Sequence, residues 1–237
     1  AGGGHRSLLL RSDGAVFACG RNDCGQCNLP ALDGHLTCIK ITGGGYHTAL
    51  LLSNGHVLAC GRNDFGQCDI PALPDGLTYL QAVARGHHTV LLRSDGNVVA
   101  CGFNEYGQCD IPDLYGDVTY TQVAAGFHLT VLLRSDGTAV ACGENDCKQC
   151  EIPELGSYAQ VACGGDHTAL IRSDGMAVAC GGNDFGQCDI PKLDSGLKYV
   201  QVAQGGYHTV LLRNDGVVVC CGGNDHGQCD IVTSATS

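Results

Sequence analysis

Seventeen cysteines in 237 residues give this sequence its first chemistry. Twelve of them form six Cys-x7-Cys pairs: Cys19/Cys27, Cys60/Cys68, Cys101/Cys109, Cys142/Cys150, Cys180/Cys188 and Cys221/Cys229. Such a pair could close a disulfide loop, supply thiolates to a metal, or fill a core with two small apolar side chains. Cys24 and Cys147 add a Cys-x-x-Cys spacing with Cys27 and Cys150. A zinc site needs a second such pair, and none follows, so this spacing is read as incidental. Cys38, Cys163 and Cys220 stand where related segments have Tyr, Ala, Gly or Val, and are read as small core residues. An odd total leaves at least one free thiol unless a partner chain supplies a sulfur.

Histidines and carboxylates recur with the same regularity. His47, His88, His167 and His208 share one position, which Arg6 and Leu129 occupy in two other segments. A ring of imidazoles could hold a metal, but a structural histidine bonded to a neighbouring loop is the expected role. His5, His87 and His128 lie one residue earlier, where Tyr and Asp also occur, and mark a loop surface. Asp23, Asp64, Glu105, Asp146, Asp184 and Asp225 share another position, and Asp69, Asp110, Glu151, Asp189 and Asp230 a third. The first acidic set is the candidate partner-binding rim, because a surface of one sign steers a basic partner; the alternative is that these carboxylates only cap loops and keep the surface hydrated. No Gly-x-Ser-x-Gly, P-loop, His-Glu-x-x-His or dinucleotide fingerprint is present. No catalytic residue, metal site or cofactor is therefore expected.

These groups are positioned by a repeat. Turns of the type Ser-Asp-Gly end at Gly14, Gly55, Gly96, Gly137, Gly175 and Gly216, and Cys-Gly and Gln-Cys pairs keep step with them. The spacings are 41, 41, 41, 38 and 41 residues, the short unit losing its residues between Glu154 and Tyr158. In the third unit, Tyr79 to Val83, His88 to Arg93 and Asn97 to Cys101 are short runs bounded by glycine turns, which read as strands. Asp95-Gly96 supplies the positive φ of a tight hairpin. A fourth strand around Gln108 to Ile111 would be short. The runs are apolar on successive residues, so both faces of each small sheet should be buried, and a ring of stacked blades does this. The fold class is all-β: a propeller of six short blades, one per ~41 residues, with repeats at about 1–42, 43–83, 84–124, 125–162, 163–203 and 204–237. Val232 to Ser237 could pair with the first blade and close the ring; seven blades, with one outside this chain, is the alternative.

The motifs Gly-x-His-Thr, Ser-Asp-Gly and Gly-x-Asn-x-x-Gly-Gln make the unit similar to the regulator-of-chromosome-condensation repeat. His88-Thr89, Asp95-Gly96 and Gly102-Phe103-Asn104-Glu105-Tyr106-Gly107-Gln108 carry the match in one copy. The resemblance covers the whole chain and implies a propeller, usually of seven blades with longer repeats. Two family positions, Trp before the Gly and Leu after the Gln, are Cys here in every copy. The lost volume would cost several kcal/mol per large side chain unless compensated. A within-repeat bridge is one compensation and tighter blades are another; a buried, reduced thiol stays the alternative. The family's nucleotide-exchange activity depends on an inserted wedge and a basic tail. This chain has neither, so the activity is not carried over.

Charge narrows the partners. Asp and Glu number 24 against 13 Lys and Arg, for a net charge of −11, and no basic run forms a patch. This excludes nucleic acid as the expected partner. No apolar run approaches the ~18 residues of a spanning helix. The chain opens on Ala1, which implies a removed leader or a longer gene product. The expected function is a non-catalytic interaction or scaffold propeller, a peripheral subunit of a larger complex. The compact cysteine-bearing repeat resembles those of photosynthetic protists, and a lumenal accessory subunit of a photosynthetic membrane complex is the specific version. A carbohydrate or small-ligand binder using the central channel is the second class, and nucleotide exchange on a small GTPase the third. Bridged cysteine pairs would place the chain in an oxidising compartment, an organelle lumen or the secretory route.

Overall fold

The structure is a computed structural model that describes residues 2–231. Among those residues every regular element is a strand, and the strands form six antiparallel sheets of three. In the third blade the strands are Tyr79–Arg85, His88–Arg93 and Val98–Gly102. The segment Gln108 to Ile111, expected as a fourth strand, is turn and loop instead. The reason is local: the Asn104 side chain accepts from Cys109 N and donates to Asp110 Oδ1, so the segment is tied back to its own loop.

The first strand of each blade lies nearest the axis, since first strands of adjacent blades bond one another directly. Gln81 Nε2 donates to Val123 O at 3.0 Å, and Ala84 N donates to Thr42 Oγ1 at 3.1 Å. The hairpin joining second to third strand closes as the Asp-Gly signature requires. Gly96 has φ +79°, and a Cβ there would lie 2.4 Å from Thr119 Cβ.

Five apolar cores fill the gaps between successive blades. Between the second and third, Ala49, Leu51 and Val57 meet Tyr79, Ala82, Ala84 and Leu91. Alternation along the middle strand explains this: one parity faces the next blade and the other faces the preceding blade. Leu50, Leu91, Leu132, Leu170 and Leu211, which face backward, are all fully buried. Their counterpart in the first blade, Leu9, is 59% exposed, and Phe17 beside it is 50% exposed. On the forward face of the last blade, Val210 and Leu212 are half-buried, whereas Val90 and Leu92 are buried. The first and last blades therefore do not cover each other among the described residues. The expected closing segment, Val232 to Ser237, lies outside them.

A polar latch accompanies each typical core. Thr130 Oγ1, on the fourth blade, donates to Gln108 O of the third at 2.7 Å. The same oxygen then accepts from His88 Nε2 at 3.0 Å, which fixes that histidine as the Nε2–H tautomer. His47 with Thr89 and His167 with Thr209 repeat the arrangement. Burial pushes His47 and His88 down to about 3 and His167 to about 4, so all three are neutral. In the first blade Arg6 takes the place of histidine and donates to the carbonyls of Gly44, Gly45 and His47. These three histidines are structural, as expected, but each bonds a middle-strand threonine of the next blade rather than a loop.

The cysteine pairing differs from expectation. One disulfide is present, Cys220–Cys229, and the remaining cysteines are thiols. Strand parity is the cause. The third-strand cysteine points back to the preceding blade: Cys101 Sγ lies 3.8 Å from Gln67 O and Cys221 Sγ lies 3.7 Å from Gln187 O. Its loop partner stays over its own blade, as Cys109 Sγ does at 3.5 Å from Phe103 O. The residue before the third-strand cysteine faces the loop instead, and Cys220 sits there with its Cα 5.2 Å from that of Cys229. In the other five blades this residue is Ala18, Ala59, Ala100, Ala141 or Ala179, so no such bond can form. Burial raises the thiols of Cys101, Cys142 and Cys180 to about 12 and those of Cys68, Cys109, Cys150 and Cys188 to about 11. They are protonated at neutral pH and poor nucleophiles.

Candidate protein-binding face

Two loops of each blade reach the propeller face opposite the Ser-Asp-Gly turns. One joins the first and second strands, and the other follows the third. The second loop is rigid. In the third blade Gly107 N donates to Asn104 O, Asp110 N to Gly107 O, and Tyr106 N to the side chain of buried Gln108. The residue before the loop glycine is thereby turned outward: Phe65 is 42% exposed and Tyr106 is 47% exposed. The repeated Asn and four of the five members of the second acidic set, Asp69, Asp110, Asp189 and Asp230 but not Glu151, are consumed in latching these loops.

The residues that vary between blades form a continuous band on this face. Tyr46 stacks on His87, with centroids 5.7 Å apart and planes 10° off parallel. Phe65 lies 5.6 Å from His87 and 4.9 Å from Phe103. Phe103 and Tyr106 lie 5.6 Å and 4.9 Å from His128. Arg21 caps the band, its guanidinium 5.1 Å from the Tyr46 ring. Burial lowers His87, with Arg62 next in effect, so its imidazole is neutral at physiological pH. Toward the axis the band opens on a cavity of about 260 Å³, lined by His5, Tyr46, His87, Phe127 and His128 with Gly4, Gly45 and Gly86.

The expected acidic rim is divided. Its six members are all exposed on this face. Asp23 and Asp64 are paired with Arg21 and Arg62 beside the aromatic band. Asp146 and Asp184 instead join Glu144 and Asp166 around Cys147, whose thiol is raised first by desolvation and then by these four carboxylates. Glu105 and Asp225 stand between and beyond. Half the face is thus aromatic with neutralised charge, and an adjoining sector is acidic. The band itself was missed in the sequence because its members come from two loop types and three blades. The available signal was that they fill the few positions at which the repeats disagree.

Among curated protein sequences none matches the chain significantly. Among solved structures it is similar to human WBSCR16, with a TM-score of 0.80 and 20% identity over 97% of this chain and 77% of that one. It is also similar to the receptor kinase CR4 ectodomain of Physcomitrella patens, with a TM-score of 0.76 and 19% identity over 99% of this chain and 66% of that one. The match to Prp20p of Saccharomyces cerevisiae, a structure described together with its binding to Gsp1p and histones, has a TM-score of 0.70 and 22% identity. This chain spans 58% of the length of Prp20p, and 80% of this chain is aligned. At these identities the likeness shows the fold. The repeat described as Regulator of chromosome condensation (RCC1) repeat matches residues 1–26, 38–67, 86–108, 120–149, 158–187 and 199–228, more than half of the sequence and all six blades. The chain belongs to the RCC1 repeat family.

Proposed function

We propose that this propeller is a non-catalytic binding protein that docks a protein partner on the face carrying the aromatic band. The observation that carries the reading is the contiguous series Tyr46, His87, Phe65, Phe103, Tyr106 and His128, in which Phe65 and Tyr106 are exposed and the other four are half-buried beneath them. Aromatic side chains with few rotatable bonds supply most of the energy in protein interfaces, and these are already ordered by mutual packing. The carboxylates around Cys147 favour a partner whose contact surface is basic beside an apolar patch. Prp20p, a propeller of similar fold, binds proteins, which supports a protein as the ligand class. The finer version is a peripheral subunit of a larger complex, on the lumenal side of a photosynthetic membrane complex; it rests on the character of the compact repeat.

The test is co-purification at native mass from source cells with the wild-type chain and with Phe65→Ala/Tyr106→Ala. The reading expects a defined co-purifying protein that is lost from the variant while the variant melts like the wild type. A lone monomer at every salt concentration, or a partner retained by the variant, overturns it. The axial cavity favours a second reading, a small ligand stacked on Tyr46 and His87, which a glycan and metabolite panel would reveal.

A further inference from the structure

The loop between first and second strands carries two adjacent positions that line the axis. The first of these is Gly3, Gly44, Gly126, Gly164 or Gly205 in five blades and Arg85 in the third. The second is Gly4, Gly45, Gly86, Gly165 or Gly206 in five blades and Phe127 in the fourth. The glycines have a packing reason, since a Cβ at Gly44 would lie 2.2 Å from the His47 ring and one at Gly164 2.2 Å from the His167 ring. The third blade escapes this by extending its first strand one residue, so that Arg85 pairs with His88.

The Arg85 side chain leaves the third blade and packs on the fourth. Its guanidinium lies 5.4 Å from the Phe127 ring centroid, and its charge acts on Cys163, His167 and His208 of the fifth and sixth blades. Phe127 in turn reaches over the fifth and sixth blades, its ring 3.3 Å from where a Cβ on Gly165 would lie and 3.9 Å from one on Gly206. Among the described residues the Arg85 side chain has no carboxylate partner and no hydrogen bond, and its Nε is buried without an acceptor, as are those of Arg6, Arg93 and Arg134. Six other arginines of this acidic chain are each paired with an aspartate two residues away. A partly buried cation held against an aromatic ring, with no protein carboxylate beside it and its two Nη groups open to solvent, is an unmatched charge with its fork available. Its geometry suits bidentate recognition of a planar oxyanion. The groups around Arg85 are the Phe127 ring, the His167 and His208 imidazoles, the Cys163 thiol and glycine backbone, none of them a carboxylate. One positive charge in such walls matches one negative charge on an apolar body rather than a doubly charged phosphate.

We propose that Arg85 and Phe127 form an axial site for a carboxylate borne on an apolar group. The carboxylate comes from a small free acid or from the acidic side chain or C-terminus of a docked segment. The site stands independently of which partner the outer band takes.

The test uses the full chain and restores the repeat. Arg85→Gly and Phe127→Gly install the residue found at the same position in the other five blades, so both are expected to fold. Binding of benzoate is measured by calorimetric titration, with benzamide as the uncharged control. Benzoate is expected to bind the wild type, at least about tenfold more weakly to Arg85→Gly, and more weakly to Phe127→Gly, with benzamide silent. Two leucine-rich peptides locate the source: one with a free C-terminal carboxylate, and one with blocked ends and an internal Glu. Tighter binding of either than of benzoate assigns the carboxylate to that part of a docked segment, and binding of benzoate alone assigns it to a free acid. Equal benzoate affinity in wild type and Arg85→Gly, or no benzoate binding to the wild type, overturns the site.

Discussion

Replacing Thr130 by Val keeps the shape of the side chain and removes one hydroxyl. That hydroxyl serves two buried groups at once, donating to Gln108 O and accepting from His88 Nε2. Thr130, Gln108 and His88 are all fully buried, so neither orphaned group recovers a bond from water. At about 1–3 kcal/mol for each buried group left unsatisfied, the loss is about 3 kcal/mol. The chain contains its own control. The fourth blade has Leu129 in place of histidine, so Thr168 makes only the bond to Gln149 O. Thr168→Val orphans one group and should cost about half as much. With about 2–4 °C of melting temperature per kcal/mol for a chain of this size, Thr130→Val should fall by about 6–12 °C and Thr168→Val by about 3–6 °C. Calorimetry on the two variants at pH 7 is the assay. Equal shifts, or a Thr130→Val shift within about 1 °C of wild type, would refute the claim that the histidine latch couples adjacent blades.

Three further outcomes follow from the same interfaces. His47, His88 and His167 take up protons only near 3 to 4 in the folded chain, against about 6.5 when unfolded. Their stabilisation is whole above about pH 6.5 and is lost as pH falls toward the folded values, at about 1.4 kcal/mol per pH unit for each histidine; denaturant midpoints that stay level between pH 7 and pH 5 would contradict it. Cys220→Ala, which installs the residue of the other blades, should cost about 2–3 kcal/mol under oxidising conditions and nothing after reduction. Non-reducing peptide mass spectrometry should find Cys220 joined to Cys229 and no Cys-x7-Cys link. Gly107→Ala, at φ +78°, should cost about 1–2 kcal/mol; Lys148 holds φ +66° at the equivalent place, so Lys148→Gly should stabilise by a similar amount in urea melts.

The blade count, the hairpin turns and the structural histidines were legible in the sequence because six copies repeat the same local constraint. A glycine needed at φ +79° leaves its mark at Gly96 and again at five other turns. The cysteine pairing was not legible from spacing alone, since a difference of one residue along a strand moves a side chain to the opposite face. Cys221 and Cys220 are neighbours in sequence, yet one looks back to the preceding blade and the other toward its own loop. The aromatic band was hidden for a different reason. Tyr46, His87 and His128 share one repeat position and Phe65 and Tyr106 another, each 41 residues apart, but the residue type at these positions changes from copy to copy, and only the stacking of three blades brings the two positions and Phe103 side by side. Arg85 and Phe127 were visible as breaks in a glycine pair. Their significance depends on the axis, which no single repeat reveals.

The bare flanks of the first and sixth blades set an order of events for unfolding. Each inner blade is clamped from both sides, while among the described residues Leu9 and Phe17 at one end, and Val210 and Leu212 at the other, have a neighbour on one side only. In a nearest-neighbour array the terminal units open first, and the loss spreads inward one junction at a time. Amide exchange should therefore grade from fast at both ends to slow in the third and fourth blades. Those two central blades carry Phe103, Tyr106, Arg85 and Phe127, so the chain places its least repeated surface on its most durable part.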